Sequence, residues 1–343
     1  MGKFRWPKIT VAIPAKNDAE GLKKCLRSIA NQTYDKKLLE IIVIDDHSTD
    51  STPKVARSFK ARVIKNVYHG RKIINRSEVG KAIGLHNATG EFIYILEQDI
   101  ELIGESFFQK LVKPLIEDKT LAGSFTREGV PKPNMPWATR FISYHPAQCD
   151  PMYEFFSPSV ESTITSSKPG YFICSYTKDK IPPFGRMMFR IDFIKKTEIW
   201  NWPGFFDLDS VAALVKNGYN KFAYVPKPGI YHYHATTLRS LIFKRVRNLH
   251  YHFFPYLPQM DYKWFDVRSK KGVLKILFWI IYANLIIPAT IRGIFKAIKF
   301  REPVLLAEPL IAVTTTDILI WNFLSNKTGR KLINQSIKTL FTR

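Results

Sequence analysis

The chain has 343 residues, 45% of them hydrophobic, enough for one large core and an appendage. Lysine and arginine number 52 against 29 aspartates and glutamates, a formal net charge of +23 that calls for an anionic partner such as nucleic acid, acidic lipid or a phosphorylated ligand. A mean hydropathy of −0.13 excludes a polytopic membrane protein.

Cys25, Cys149 and Cys174 are odd in number and lack metal-type spacing, so a reducing compartment is expected. The first eight residues are short and basic, and the apolar run after them breaks at Pro14, so no signal peptide is expected. From there short apolar runs alternate with helical patterns. Residues 9–13 read as a strand, 19–31 as a helix, 41–44 as a buried strand and 62–67 as another. A helix is expected over 81–88, a buried strand over 92–96 and a helix over 105–116. Such alternation predicts an α/β fold with a mostly parallel sheet wrapped by helices, whose ligands gather at the carboxyl ends of the strands.

Residues 128–183, rich in Pro, Ser, Tyr and Phe, show weak periodicity and read as irregular structure over one face of the sheet. Regular patterning returns at 186–189, in a helix from near Asp207, and in a strand over 222–225. Residues 237–253 then read as a basic helix with Arg239, Lys244, Arg245 and Arg247.

The C-terminal part changes character. Residues 276–291 carry no charge; as a helix they would extend about 24 Å, short of the roughly 30 Å hydrocarbon core, and Pro288 would kink it. After the proline, Ile291, Ile294, Phe295 and Ile298 share one helical face, with Arg292, Lys296 and Lys299 opposite. Basic residues flank the run on both sides, whereas spanning helices show a one-sided bias. The next apolar stretch, 303–323, is interrupted by Glu308 and Asp317, and a basic tail follows. The pattern predicts helices lying in a membrane surface or re-entering it; a spanning helix and the buried helices of a soluble protein are the alternatives.

Three acidic clusters follow strands or open helices. In the first, an apolar strand ends in Asp45-Asp46, with Asp50 nearby; these acids can meet a base or ribose, or cap the next helix. In the second, a buried strand ends in Glu97-Gln98-Asp99, and acids two apart can share one hard cation. In the third, Asp207 and Asp209 open a helix, where they serve as a general base or as its N-terminal cap. Between the first two lies Gly80-Lys81, preceded by Arg71, Lys72 and Arg76; it is a phosphate-facing helix opening or a solvated basic loop. His232 and His234 end a late strand, where an imidazole can ligate a metal. Residues 250–256 interleave histidines with aromatics, but no zinc or helix-turn-helix motif accompanies them, and no nucleic-acid partner is expected.

Taken in order, these segments resemble the family 2 glycosyltransferases of the GT-A fold. The opening Val11-Ala-Ile-Pro14-Ala-Lys16-Asn17 is similar to that family's first strand, and Ile44-Asp45-Asp46 to its second motif. Gly80-Lys81, Asn87 and Gly90-Glu91 resemble the stretch before its metal motif, and Glu97-Gln98-Asp99 stands in the place of that motif. Gly204-Phe205, Asp207, Leu214 and Gly218-Tyr219 resemble its acceptor-side motif. The resemblance covers about residues 8–250.

It implies a nucleotide-sugar pocket at Pro14, Lys16, Asp45, Lys81 and Gln98. It implies a divalent metal, Mn²⁺ or Mg²⁺, on Asp99 and Glu97 with His232 completing the site. Asp207, or Asp209 in the alternative register, would be the base of a single inverting displacement. The donor would be UDP- or GDP-linked and the acceptor a glycan or lipid-linked glycan. The domains expected are a catalytic domain over 1–235 (donor half 8–127, acceptor half 128–235), a basic helical connector over 236–271, and membrane-associated helices over 272–343. The catalytic domain would face the cytoplasm, on an anionic membrane surface. Two residues depart from the family pattern: Glu97 replaces an aspartate and Phe206 an acid. They motivate a second reading, a catalytically inactive relative that binds glycan or membrane as a scaffold.

Overall fold

The structure, a computed structural model, describes residues 5–67, 76–184, 186–256, 262 and 265–341. The basic residues Arg71 and Lys72 of the expected phosphate loop lie outside them. The chain divides into two compact units, Met1–Val130 with Pro158–His232, and Pro131–Ser157 with Tyr233–Arg343.

The first unit is built on a nine-stranded sheet. Its strands are β1 (Ile9–Ala15), β2 (Leu39–Asp45), β3 (Arg62–Lys65), β4 (Phe92–Ile95), β6 (Gly123–Thr126), β7 (Ile164–Lys168), β8 (Tyr171–Ser175), β9 (Met187–Arg190) and β10 (Lys221–Val225), in the order β3-β2-β1-β4-β9-β6-β10-β8-β7. β5 (Ile100–Leu102) and β11 (Ile230–His232) form a separate antiparallel ribbon. The first four strands of the sheet run parallel. Helices cover them, so β1 is buried on both faces, with Ile9, Val11, Ala12 and Ile13 all at 0% exposure and only Thr10 polar among them. β9 then inserts antiparallel between β4 and β6, and β10 returns parallel to β6. The expected α/β architecture is present, with the parallel half at the N-terminal side and a mixed half beyond β4.

The helix expected at 81–88 spans Arg76–His86. Its contacting face carries glycines instead of large apolar residues, which hides its first turn, from Arg76, in the sequence. A Cβ on Gly84 would stand 2.6 Å from the Ala12 Cβ, and one on Gly80 3.2 Å from the Pro14 Cβ. Close approach of this helix to β1 therefore depends on them. Gly84→Val is expected to lower unfolding stability by about 1–3 kcal/mol through overpacking, read by urea denaturation; an unchanged midpoint would contradict the close-packing account.

Residues 128–183, expected to be irregular, contain helices Trp137–Ile142 and Pro151–Phe156 and the hairpin β7–β8. Each is too short to complete a recognisable period.

In the second unit the basic helix is present as Leu238–Asn248, opened by a capping box between Thr237 and Ser240 and continued by a π-turn over Leu249–Phe253. The uncharged run divides into helices Lys270–Asn284 and Ile287–Phe300, bent by 77°. Pro288 sits in the first turn of the second helix and starts it rather than kinking a longer one. Glu308–Ser325 and Lys327–Phe341 complete the unit. Trp279 fills its interior and donates its indole N–H to the Thr316 hydroxyl at 2.9 Å.

Candidate functional site

The site forms at the carboxyl ends of β1, β2 and β4. β4 stops at Ile95, Leu96 donates its N–H to the Ala12 carbonyl, and a turn closed by Ile100 N–H to the Glu97 carbonyl (3.3 Å) carries Glu97 and Asp99 off the sheet edge. The turn leads directly into β5. β11 pairs antiparallel with β5 and sets His232 opposite Ile100, beside Asp99. The return from β10 to β11 depends on Gly229. Its φ of +82° favours glycine, and a Cβ there would lie 2.6 Å from the Val130 side chain.

Glu97, Asp99 and His232 thus converge, with one ligand atom of each within 4.8 Å of the others. His232 Nε2 stands 3.5 Å from Asp99 Oδ1 and 3.6 Å from Glu97 Oε2, while Nδ1 lies 2.8 Å from Glu128 Oε1. A carboxylate on Nδ1 fixes the proton of a neutral ring there and turns the Nε2 lone pair toward the two acids. Two carboxylates and an imidazole so oriented suit a divalent cation, and Glu128 is the outer partner that metal-bound histidines regularly have.

Burial pushes the His232 imidazole down, but Asp99, Glu128 and Glu97 outweigh it and hold its pKa above the ordinary 6.5. A cation must displace that proton. Mn²⁺ affinity is therefore expected to fall as pH drops through that raised value, read by calorimetry at pH 8 and pH 6. A pH-independent affinity would remove His232 from the ligand set.

A second cluster adjoins the first. Lys81, 1% exposed, places its ammonium 2.8 Å from Asp207 Oδ2, 3.2 Å from Glu78 Oε2 and 3.8 Å from Glu97 Oε1. Arg186 bridges Glu97 at 2.6 Å and Asp207 at 3.2 Å. Burial disfavours the charge on both cations, but the surrounding acids outweigh it and raise both pKa values. Glu78 moves up to about 7: burial leads, Asp207 and Glu97 add to it, and Lys81 opposes. Lys81 lies in the second turn of its helix rather than at the opening expected from Gly80-Lys81, so its ammonium, and not a free helix N-terminus, is what it brings to the site.

Asp207 is the first residue of helix Asp207–Lys216, after Phe206 at the cap position, where the helix dipole favours a carboxylate. The Phe205 N–H bonds the Glu78 carbonyl at 2.9 Å and ties this loop to the Lys81 helix. The Asp207 side chain keeps 24% exposure, whereas Asp209 is buried.

On the other side, Gln98 clamps the Lys16 backbone: its Oε1 accepts the Lys16 N–H at 2.7 Å and its Nε2 donates to the Lys16 carbonyl at 3.1 Å. The Lys16 ammonium pairs with Asp46 at 3.2 Å. Asp45, buried at the end of β2, accepts the Ser48 N–H at 3.2 Å. The helix-opening duty falls to Asp50, which accepts the Thr52 N–H at 2.9 Å. Pro14 packs beside Gly80. Sequence reading missed Arg186, Glu78 and Glu128 as site residues. Arg186 and Glu128 each stand just beyond a strand that borders β4 or lies next but one, β9 and β6, a position only the antiparallel insertion of β9 reveals.

Residues 10–191 match the protein family described as Glycosyl transferase family 2. "Glycosyltransferase GlyA" of Streptococcus pneumoniae is 32% identical over 110 residues, which are 32% of this chain and 15% of that protein. "GalNAc(5)-diNAcBac-PP-undecaprenol beta-1,3-glucosyltransferase" of Campylobacter jejuni is 38% identical over 98 residues, 28% of this chain and 31% of that protein. The chain therefore spans less than a third of the length of either of these relatives. Among solved structures, the mannosyltransferase PcManGT of Pyrobaculum calidifontis, in complex with GDP-Man and Mn²⁺, is 16% identical with a TM-score of 0.46, over 98% of this chain and 88% of that one.

Proposed function

The chain belongs to glycosyl transferase family 2, and from that membership we propose that it moves a sugar from a UDP- or GDP-linked donor, with inversion, onto a glycan or lipid-linked acceptor at a membrane. The observation that carries the reading is the meeting of Glu97, Asp99 and His232 beside Lys81, Arg186 and Asp207 at one sheet edge. Glu97, Asp99 and His232 would hold Mn²⁺ or Mg²⁺. Bound there, the cation supplies positive charge against the diphosphate leaving group. Pro14, Lys16, Asp45 and Gln98 would line the nucleotide pocket, with the Gln98 clamp fixing the Lys16 backbone against the base and ribose.

Asp207 would take the acceptor proton as the new bond to the anomeric carbon forms and the bond to the diphosphate oxygen breaks. Its exposure supports this role over Asp209, which is buried. Lys81 and Arg186 neutralise Asp207 and Glu97 before substrate arrives. A diphosphate competes for the same two cations, so donor binding would loosen Asp207 for its work as a base.

The Campylobacter relative is named for a lipid-linked acceptor, which supports that acceptor class here. Free, buried cysteines support placement in a reducing cytoplasm. The test is a panel of UDP- and GDP-sugars with Mn²⁺, read for thermal stabilisation and for nucleoside diphosphate release. One donor that both stabilises the protein and turns over is the expected result. Binding without turnover, across a range of glycan and lipid-linked acceptors, would favour the scaffold reading instead.

A further inference from the structure

The bent helix pair of the second unit turns large apolar side chains outward as well as inward. On Lys270–Asn284 the outward face carries Leu277, Phe278 and Ile281; on Ile287–Phe300 it carries Ile291, Phe295 and Ile298, at 63%, 64% and 74% exposure. The inward faces hold Val273, Trp279 and Ala283 on the first helix and Ala289, Gly293 and Lys296 on the second, and Glu308 is buried at the start of the helix that follows. Arg292 and Lys296, placed by their spacing opposite the apolar stripe, turn inward. Arg292 pairs with Glu154 at 2.8 Å and Glu308 at 2.7 Å, and Lys296 pairs with Glu154 at 3.0 Å. His145 joins Glu308 at 3.2 Å. Charged side chains paired within, with a continuous face of large aliphatic and aromatic side chains left outside, suit helices whose solvent on that side is lipid.

The geometry limits how far such a unit enters. Helices of 15 and 14 residues extend only about 22 Å each, and a 77° bend parts them. Pro303–Ser325, 23 residues, is long and apolar enough to cross, but exposed Asp317 would then sit within the hydrocarbon core, where a carboxylate is costly. Exposed Lys270 and Lys271 stand at one outer end of the bent pair and Lys299 and Arg301 at the other, matching headgroups at the rim of an inserted face.

We infer that the bent helix pair is a monotopic membrane anchor that inserts its apolar face into one leaflet, holds by apolar burial rather than by headgroup charge, and keeps Arg292 and Lys296 for an internal ion network. The occupant of the exposed face is the acyl region of a bilayer. The inference deepens the membrane part of the proposed function and stands apart from its chemistry.

The test is flotation of the full chain with pure phosphatidylcholine vesicles in about 1 M salt, where the Debye length is about 3 Å. Wild type is expected to float. The triple variant Ile291→Ser, Phe295→Ser, Ile298→Ser should lose at least about a hundredfold in partitioning. Its thermal midpoint and donor stabilisation should be unchanged, since these side chains are exposed; that readout separates failed insertion from failed catalysis. Lys299→Gln with Arg301→Gln should float like wild type at this salt. Wild type that releases from the vesicles in salt would overturn the inference in favour of headgroup charge. A wild-type dimer that the triple variant dissociates, with no flotation, would assign the face to a second copy of the chain.

Discussion

Asp207→Asn is expected to lose glycosyl transfer by about 10²- to 10⁴-fold, the range general-base removal produces, while donor affinity stays within about threefold. Asparagine keeps the shape and an acceptor oxygen toward Lys81 and Arg186, and Glu97 remains an ion-pair partner of both. The pocket should therefore persist with only the proton acceptor gone. Affinity measured by calorimetry and transfer measured by product formation divide the two effects. Retained transfer in Asp207→Asn, with loss in Asp209→Asn, would move the base two residues along the helix.

Asp99→Ala is expected to abolish metal-dependent donor binding, lowering Mn²⁺ affinity by at least about a hundredfold. Glu97 is already shared with Arg186 at 2.6 Å and His232 with Glu128 at 2.8 Å. Asp99 supplies the second carboxylate of the group, with its Oδ1 3.5 Å from His232 Nε2. Without it, Glu97 and an imidazole offer too few oxygen ligands for a hard cation. Calorimetry with the nucleoside diphosphate, with and without Mn²⁺, reads the loss. Metal-dependent binding of wild-type strength would remove Asp99 from the site.

How far the site was legible follows from distance along the chain. Apolar runs at 41–44 and 92–96, each closed by acids, name β2 and β4 and place Asp45, Glu97 and Asp99 at one edge, because a parallel sheet aligns its carboxyl ends. Gly80-Lys81 is legible as a motif and a helix is legible over 81–88, but its start at Arg76 is not, since glycines occupy the contacting face. Arg186 and Glu128 reach the site only because β9 runs antiparallel between β4 and β6, and no local period records that neighbour relation. The apolar stripe of Ile291, Phe295 and Ile298 is readable from spacing alone. The inward turn of Arg292 and Lys296 is not, because Glu154, more than a hundred residues earlier, makes it favourable.

The most direct measurement is nucleoside diphosphate release from the donor identified in the panel, followed through chelation and metal return. The proposed function predicts release that stops on chelator, resumes with Mn²⁺ or Mg²⁺, and fails to resume in Asp99→Ala. Release that continues at full rate in chelator, from wild type and Asp99→Ala alike, would contradict a metal-assisted transfer at Glu97, Asp99 and His232.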